Sequence, residues 1–117
     1  MLKDQEALIK HILDEIDFIL KNTRDLNFDS LTGNEILKRA ITRSLEIISE
    51  AVKQINEDFK NQHKDIDWKK IAGFRDILIH RYFSIDWDIV WDIIKNKIPE
   101  PRVKLRNLLN SFIGEND

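Results

Sequence analysis

The chain contains no cysteine. Disulfides, thiolate nucleophiles and cysteine-held metals are therefore excluded, and a reducing compartment suits the composition. Only three glycines and two prolines punctuate its 117 residues. That is too few for a fold of many short strands and turns. No apolar run approaches the roughly 20 residues that a membrane span requires. The N-terminus, MLKDQEALIK, is charged from its third residue and lacks the apolar region of a signal peptide. A basic excess is missing too: 19 Lys and Arg stand against 21 Asp and Glu, a net charge of −2. A general nucleic-acid coat would carry the opposite sign. An enzyme that grips a few phosphates locally needs no such excess. The length fits one domain spanning residues 1–117, long enough to bury a core unaided. These features point to a cytoplasmic protein with no membrane partner.

What is present is helical spacing. Leu8, Ile9, Ile12, Leu13, Ile16, Ile19 and Leu20 recur at i, i+3, i+4 intervals and predict a helix over about 4–21. NTRDLNFDSLTGN reads as a polar connection. A longer helix, about 33–58, carries the stripe Ile36, Leu37, Ala40, Ile41, Ile47, Ile48, Ala51, Val52 and Ile55. KNQHKDID breaks the pattern, and Asp67 is placed to cap a third helix over about 68–82. Ser84 or Asp86 caps a fourth, about 87–96, which Pro99 and Pro101 should stop. A last short helix carries Val103, Leu105, Leu108, Leu109 and Phe112. The expectation is an all-α antiparallel bundle of four to five helices.

One stretch does not fit core material. In GFRDILIHRYF, residues 73–83, the polar groups Arg75, Asp76, His80, Arg81 and Tyr82 interrupt an apolar helix. With about 100° per residue, Ile71, Phe74 and Leu78 form the core face. Asp76 and His80 are i, i+4 neighbours on the other side. They share that side with Trp68, Ala72, Gly73 and Ile79. Large apolar groups on a polar face predict a partner surface, and hence a homodimer. The plainer reading of Asp76 and His80 is a surface ion pair of small worth.

The spacing Arg75, four residues, His80, one residue, Tyr82 resembles the signature of HepT-like proteins of the HEPN superfamily. These are the toxin halves of bacterial toxin–antitoxin pairs. DWKKIAGFRDILIHRYFSIDWDIVWDIIKNKIP is similar to that family's second half. RSLEIISEAVKQI is similar to its Arg-x-x-x-Ile-Ile-Gly-Glu-Ala helix, with Ser49 where glycine is expected and Glu50 and Ala51 matched. The resemblance covers about residues 30–110. It implies a homodimeric HEPN-like bundle that cuts RNA without a metal or cofactor, in a type VII toxin–antitoxin pair.

The chemistry suits the residues. RNA cleavage needs a base for the 2′-OH proton, an acid for the leaving 5′-oxygen, and positive charge at phosphorus. Histidine titrates near neutrality, and arginine's planar fork fits phosphate oxygens. One chain brings one such pair, Arg75 and His80; a two-fold dimer brings two. Asp76 would support His80 by fixing its tautomer, or is simply a surface carboxylate. The resemblance implies that Tyr82 is where a minimal nucleotidyltransferase antitoxin, MntA-like, attaches AMP. It also implies that Arg43 and Glu50 border the dimer cleft. The plainer reading of Arg39, Arg43, Glu46 and Glu50 is a charge network along one helix stripe. His11 and His63 read as surface residues, and Trp87 and Trp91 as packing. Lys69, Lys70, Arg81, Lys95 and Lys97 read chiefly as solvated. The rival from another class is a non-catalytic helical module that dimerises, binds a nucleotide, or docks a nucleotidyltransferase. The intact Arg75 and His80 favour the enzyme.

Overall fold

The structure is a computed structural model that describes residues 2–79 and 85–116. Every element among the described residues is helical. Helix α1 (Leu2–Thr23) and helix α3 (Glu35–Gln54) form the central pair, and α8 (Pro99–Asn116) packs on α1. The Asn56 N–H, just past the end of α3, donates to Oε1 of Gln5 near the start of α1, at 2.9 Å. The two helices therefore run antiparallel. Asp17, late in α1, accepts from Nε of Arg102 at 2.6 Å and from an Nη of Arg106 at 2.9 Å, both early in α8. Helix α8 thus runs antiparallel to α1 as well.

The apolar stripes explain the pairing. Ile9, Ile12, Leu13, Ile16 and Ile19 of α1 are fully or almost fully buried against Ile41, Leu45, Ile48 and Val52 of α3. Each such side chain contributes roughly 1.5–3 kcal/mol on leaving water. Leu105, Leu108, Leu109 and Phe112 close the core from α8. No helix among the described residues is long and apolar enough to cross a membrane.

The shorter elements depart from the expected spans. The polar connection holds a helix of its own, α2 (Phe28–Thr32). Asn27 caps it by accepting the Ser30 N–H at 2.8 Å, and Leu31 is fully buried. Helix α3 stops at Gln54, because Ile55 turns to extended backbone. Asn56 then caps α4 (Glu57–Gln62) through the Asp58 N–H. Ile36 is 84% exposed, since it stands about 140° from Ile41 around the helix and so off the buried stripe. Ile89 and Val103 are exposed as well.

The fourth helical run ends at Lys97, just before Pro99, as expected; Pro99 also opens α8, where a missing N–H costs nothing in the first turn. Before it, α7 (Trp87–Asp92) widens into a π turn, Ile93–Lys97, in which the Ile98 N–H reaches back to the Ile93 carbonyl at 2.9 Å.

The third expected helix is broken into α5 (Trp68–Ala72), a 3-10 turn (Gly73–Arg75) and α6 (Asp76–Ile79). This corrects the placement of Trp68, which is 7% exposed and lies in the core. In a continuous α-helix Trp68 would stand about 20° from Arg75, on the polar side. A 3-10 turn advances about 120° per residue, which carries Trp68 some 60° further round, onto the face of Ile71 and Phe74. Its ring meets Phe59 edge-on at 6.3 Å, and its indole N–H donates to the His63 carbonyl at 3.0 Å. Ala72 also packs against the core. Trp68 therefore drops out of the expected partner surface, whereas Ala72 is only partly buried. The side chain of Ile79, also in that expectation, lies outside the described set.

Candidate functional site

The local sequence sets the pose of Arg75. Asp67 caps α5 by accepting the Lys70 N–H at 3.0 Å. Trp68, Ile71 and Phe74 pull one side of the segment into the core. The turn Gly73–Arg75 packs on α3. Ser49, fully buried on α3, donates its hydroxyl to the Ala72 carbonyl at 2.6 Å. The residue that departs from the expected glycine thus ties α3 to the end of α5. With Phe74 inside, the next residue, Arg75, is half-buried, and Asp76 is exposed. His80, Arg81 and Tyr82 lie outside the described residues. The chain is described again from Ile85, and Asp86 caps α7 by accepting the Asp88 N–H at 3.1 Å.

Arg43 and Glu50 both lie on the outer face of α3 and are exposed. They line one cavity of about 350 Å³ between α1 and α3, together with His11 and Gln54. Arg43 meets Glu46 at 3.5 Å. A charge network along α3 is therefore present only in part. Arg39, on the same stripe, has no ion pair among the described residues.

Arg43 also reaches a second cavity, of about 590 Å³, that the sequence did not announce. Lys38, Arg39 and Thr42 form one wall and Ile85 and Trp87 the other. Trp87 packs on the core, as expected, but it also lines this opening. The Lys38 ammonium lies 5.7 Å from the centre of the Trp87 ring and 2.8 Å from Glu35. The hydrogen bond and charge of Lys38 hold the Glu35 carboxyl below its ordinary range. The available signal for this cavity was the i, i+4 pair Arg39 and Arg43; that Ile85 and Trp87 face it is a tertiary fact.

The remaining expectations divide. Trp91 packs edge-on against Phe28 at 6.2 Å, and the Lys95 ammonium lies over the Trp91 ring, 4.7 Å from its centre. Lys97 reaches Asp92 at 3.7 Å, whereas Lys69 is exposed. His11 is exposed, as read. His63 is not a plain surface residue, because its ring packs against Phe59, tilted at 45° with the centres 4.6 Å apart. Among the described residues, no three His, Asp or Glu side chains gather as metal ligands would.

Comparison with known proteins agrees with the family resemblance. A candidate RNase of Caldanaerobacter subterraneus subsp. tengcongensis is 38% identical over 92% of this chain and 96% of its own. Another from Methanocaldococcus jannaschii is 38% identical over 98% of this chain and 95% of its own. The protein named "Probable ribonuclease HepT" in Thermococcus cleftensis is 35% identical over 92% of this chain and 98% of its own. No solved structure matches the chain. The family model described as "Ribonuclease HepT-like" matches residues 12–108, from the first core stripe through the Arg75–His80–Tyr82 spacing to the last. With its helical fold and that spacing in place, the chain belongs to the HepT-like ribonuclease family of the HEPN superfamily.

Proposed function

We propose that this protein is a metal-independent endoribonuclease, the toxin of a type VII toxin–antitoxin pair, acting as a homodimer. The observation that carries the reading is the Arg75, His80, Tyr82 spacing inside the stretch that matches the family. Arg75 forks onto the non-bridging phosphate oxygens and stabilises charge as the phosphorane forms. His80 of one protomer takes the 2′-OH proton, and O2′ attacks phosphorus. His80 of the other gives a proton to the departing 5′-oxygen. The products are a 2′,3′-cyclic phosphate and a 5′-hydroxyl. Asp76, four residues before His80, favours the imidazolium that forms between the two transfers.

Neutralisation falls to a nucleotidyltransferase antitoxin that transfers AMP to Tyr82. Its phosphodiester adds a negative charge that pairs with Arg75 where substrate phosphate would sit, and the nucleoside blocks entry. Tyr82 is the chain's one tyrosine, so the modified peptide is unambiguous. The test has two arms. Purified protein should cut RNA in the presence of a chelator and leave cyclic phosphate ends. Co-expression with an adjacent nucleotidyltransferase should add the mass of AMP at Tyr82, and Tyr82→Phe should stay active but escape neutralisation. Cleavage that vanishes with chelator yet survives His80→Ala would sink the mechanism. Modification elsewhere would reduce Tyr82 to a packing residue.

A further inference from the structure

The cavity between the start of α3 and residues 85–87 sets charged side chains of one helix against an aromatic wall from another segment. Its 590 Å³ lies within the size of small-ligand sites. One wall is charged with a small basic excess: Lys38, Arg39 and Arg43 stand beside Glu35 and Glu46, and with Glu35 paired to Lys38 and Glu46 to Arg43 at 3.5 Å, Arg39 is exposed and has no ion pair among the described residues. The other wall is flat and apolar, made of Ile85 and the part of Trp87 that Lys38 leaves open. Thr42 adds a hydroxyl that already donates to the Lys38 carbonyl and keeps its lone pairs for a donor. Ile85 follows His80 by five residues, so the cavity lies at most about 18 Å of chain from the proposed reacting group. That is within about three nucleotides.

We propose that this cavity is a subsite for one unpaired RNA nucleotide flanking the scissile phosphate. The base packs on Trp87 and Ile85 while Arg39 and Arg43 hold its phosphate. Stacking on an aromatic wall with cations along the backbone is how single strands are gripped without reading sequence. It also supplies locally the positive charge that the whole chain lacks. Double-stranded RNA, whose bases stay stacked, gains nothing from such a wall. The proposal rests on the ribonuclease reading, which its test is built to separate.

The measurement uses a short single-stranded RNA. Affinity and its salt dependence are read on the full-length His80→Ala protein, and KM and kcat on the otherwise unaltered enzyme. Arg39→Ala and Trp87→Leu are each expected to weaken binding roughly 5- to 100-fold, the scale of a lost stacking or cation contact. KM should rise with kcat little changed. Arg39→Ala should lower the salt slope by about 0.7, one single-strand phosphate. Trp87→Phe, which restores a ring, should recover most of the loss; mere unfolding by Trp87→Leu would be caught by this variant and by Arg39→Ala, whose side chain is exposed. RNA bound and cut normally by Arg39→Ala and Trp87→Phe, Trp87→Leu alike, with unchanged salt slope, overturns the subsite and leaves the ribonuclease reading standing. Loss of nucleotidyltransferase binding with RNA affinity intact overturns it in favour of a protein dock. A wild-type protein that neither binds nor cuts RNA overturns both.

Discussion

Helices α1 and α3 run for 22 and 20 residues without a break, whereas residues 68–79 pass through helices of five and four residues and a three-residue turn. The long pair is held chiefly by apolar side chains: Ile12, Ile16, Leu45 and Ile48 are all fully buried between them. The broken segment is held by mixed means. It has buried anchors at Trp68, Ile71 and Phe74, an indole bond to His63, and a hydroxyl bond from Ser49. Regular packing builds a scaffold, and irregular backbone aims a side chain from it. Stability should therefore belong to the first region and activity to the second.

Substitutions can break that division. Leu45→Ala and Ile48→Ala remove fully buried side chains. Each is expected to cost about 2–5 kcal/mol by chemical denaturation. Enzyme that remains folded should keep its specific activity. Arg75→Ala and His80→Ala should do the reverse. Cleavage should fall by at least ~100-fold, near 2.7 kcal/mol of barrier, with the unfolding midpoint unmoved. If Arg75→Ala instead unfolds the chain, its half-burial serves the core.

Ser49→Ala sits between the two regions. Losing its bond to Ala72 should cost about 1 kcal/mol, and hydrogen exchange should quicken at residues 68–76 more than in α1. Asp17→Asn weakens the double arginine contact with α8. The ion pairs are half-exposed, so the cost should be about 0.2–1 kcal/mol per pair and should shrink in high salt. The smallest effect concerns Glu35, whose carboxyl Lys38 holds low. A depressed folded value adds stability above the unfolded value and loses it as pH falls through the folded one. Trp87 fluorescence should respond in that acidic window as Lys38 is released, and the response should be absent in Glu35→Gln.

The long helices were legible because period 3.6 repeats for many turns, so that Ile9 through Ile19 and Ile41 through Val52 outvote any single exception. Short elements offer too few residues to show a period. Helix α2 has one buried apolar anchor, Leu31, inside a polar run, and only its Asn27 cap could have revealed it. Pro99 stops the fourth helix as read, but the same ring also starts α8, so the last helix is longer than its apolar stripe suggested. At the site, Arg75 and Asp76 were found by residue type and spacing. Trp68 was misplaced by the wheel, since no side chain in IAGFRD announces a 3-10 turn. Arg39 was seen on its stripe but assigned to a network, because the facing Trp87 is far off in sequence.

That 3-10 turn also acts as an angular setting. Three residues advancing about 120° rather than 100° leave the chain after Arg75 out of phase with α5 by about a sixth of a turn. Converting the turn to α-helix would rotate the start of the Arg75–His80 interval by that amount against a scaffold that stays still. Gly73 is where the phase can be altered. Its backbone is right-handed helical, and an added Cβ would meet nothing closer than Asp76 Oδ2 at 3.8 Å. Gly73→Ala favours helix by roughly 0.5–1 kcal/mol. It is expected to raise the unfolding midpoint and lower the rate of RNA cleavage together. A more stable variant with undiminished cleavage would make the turn a mere spacer.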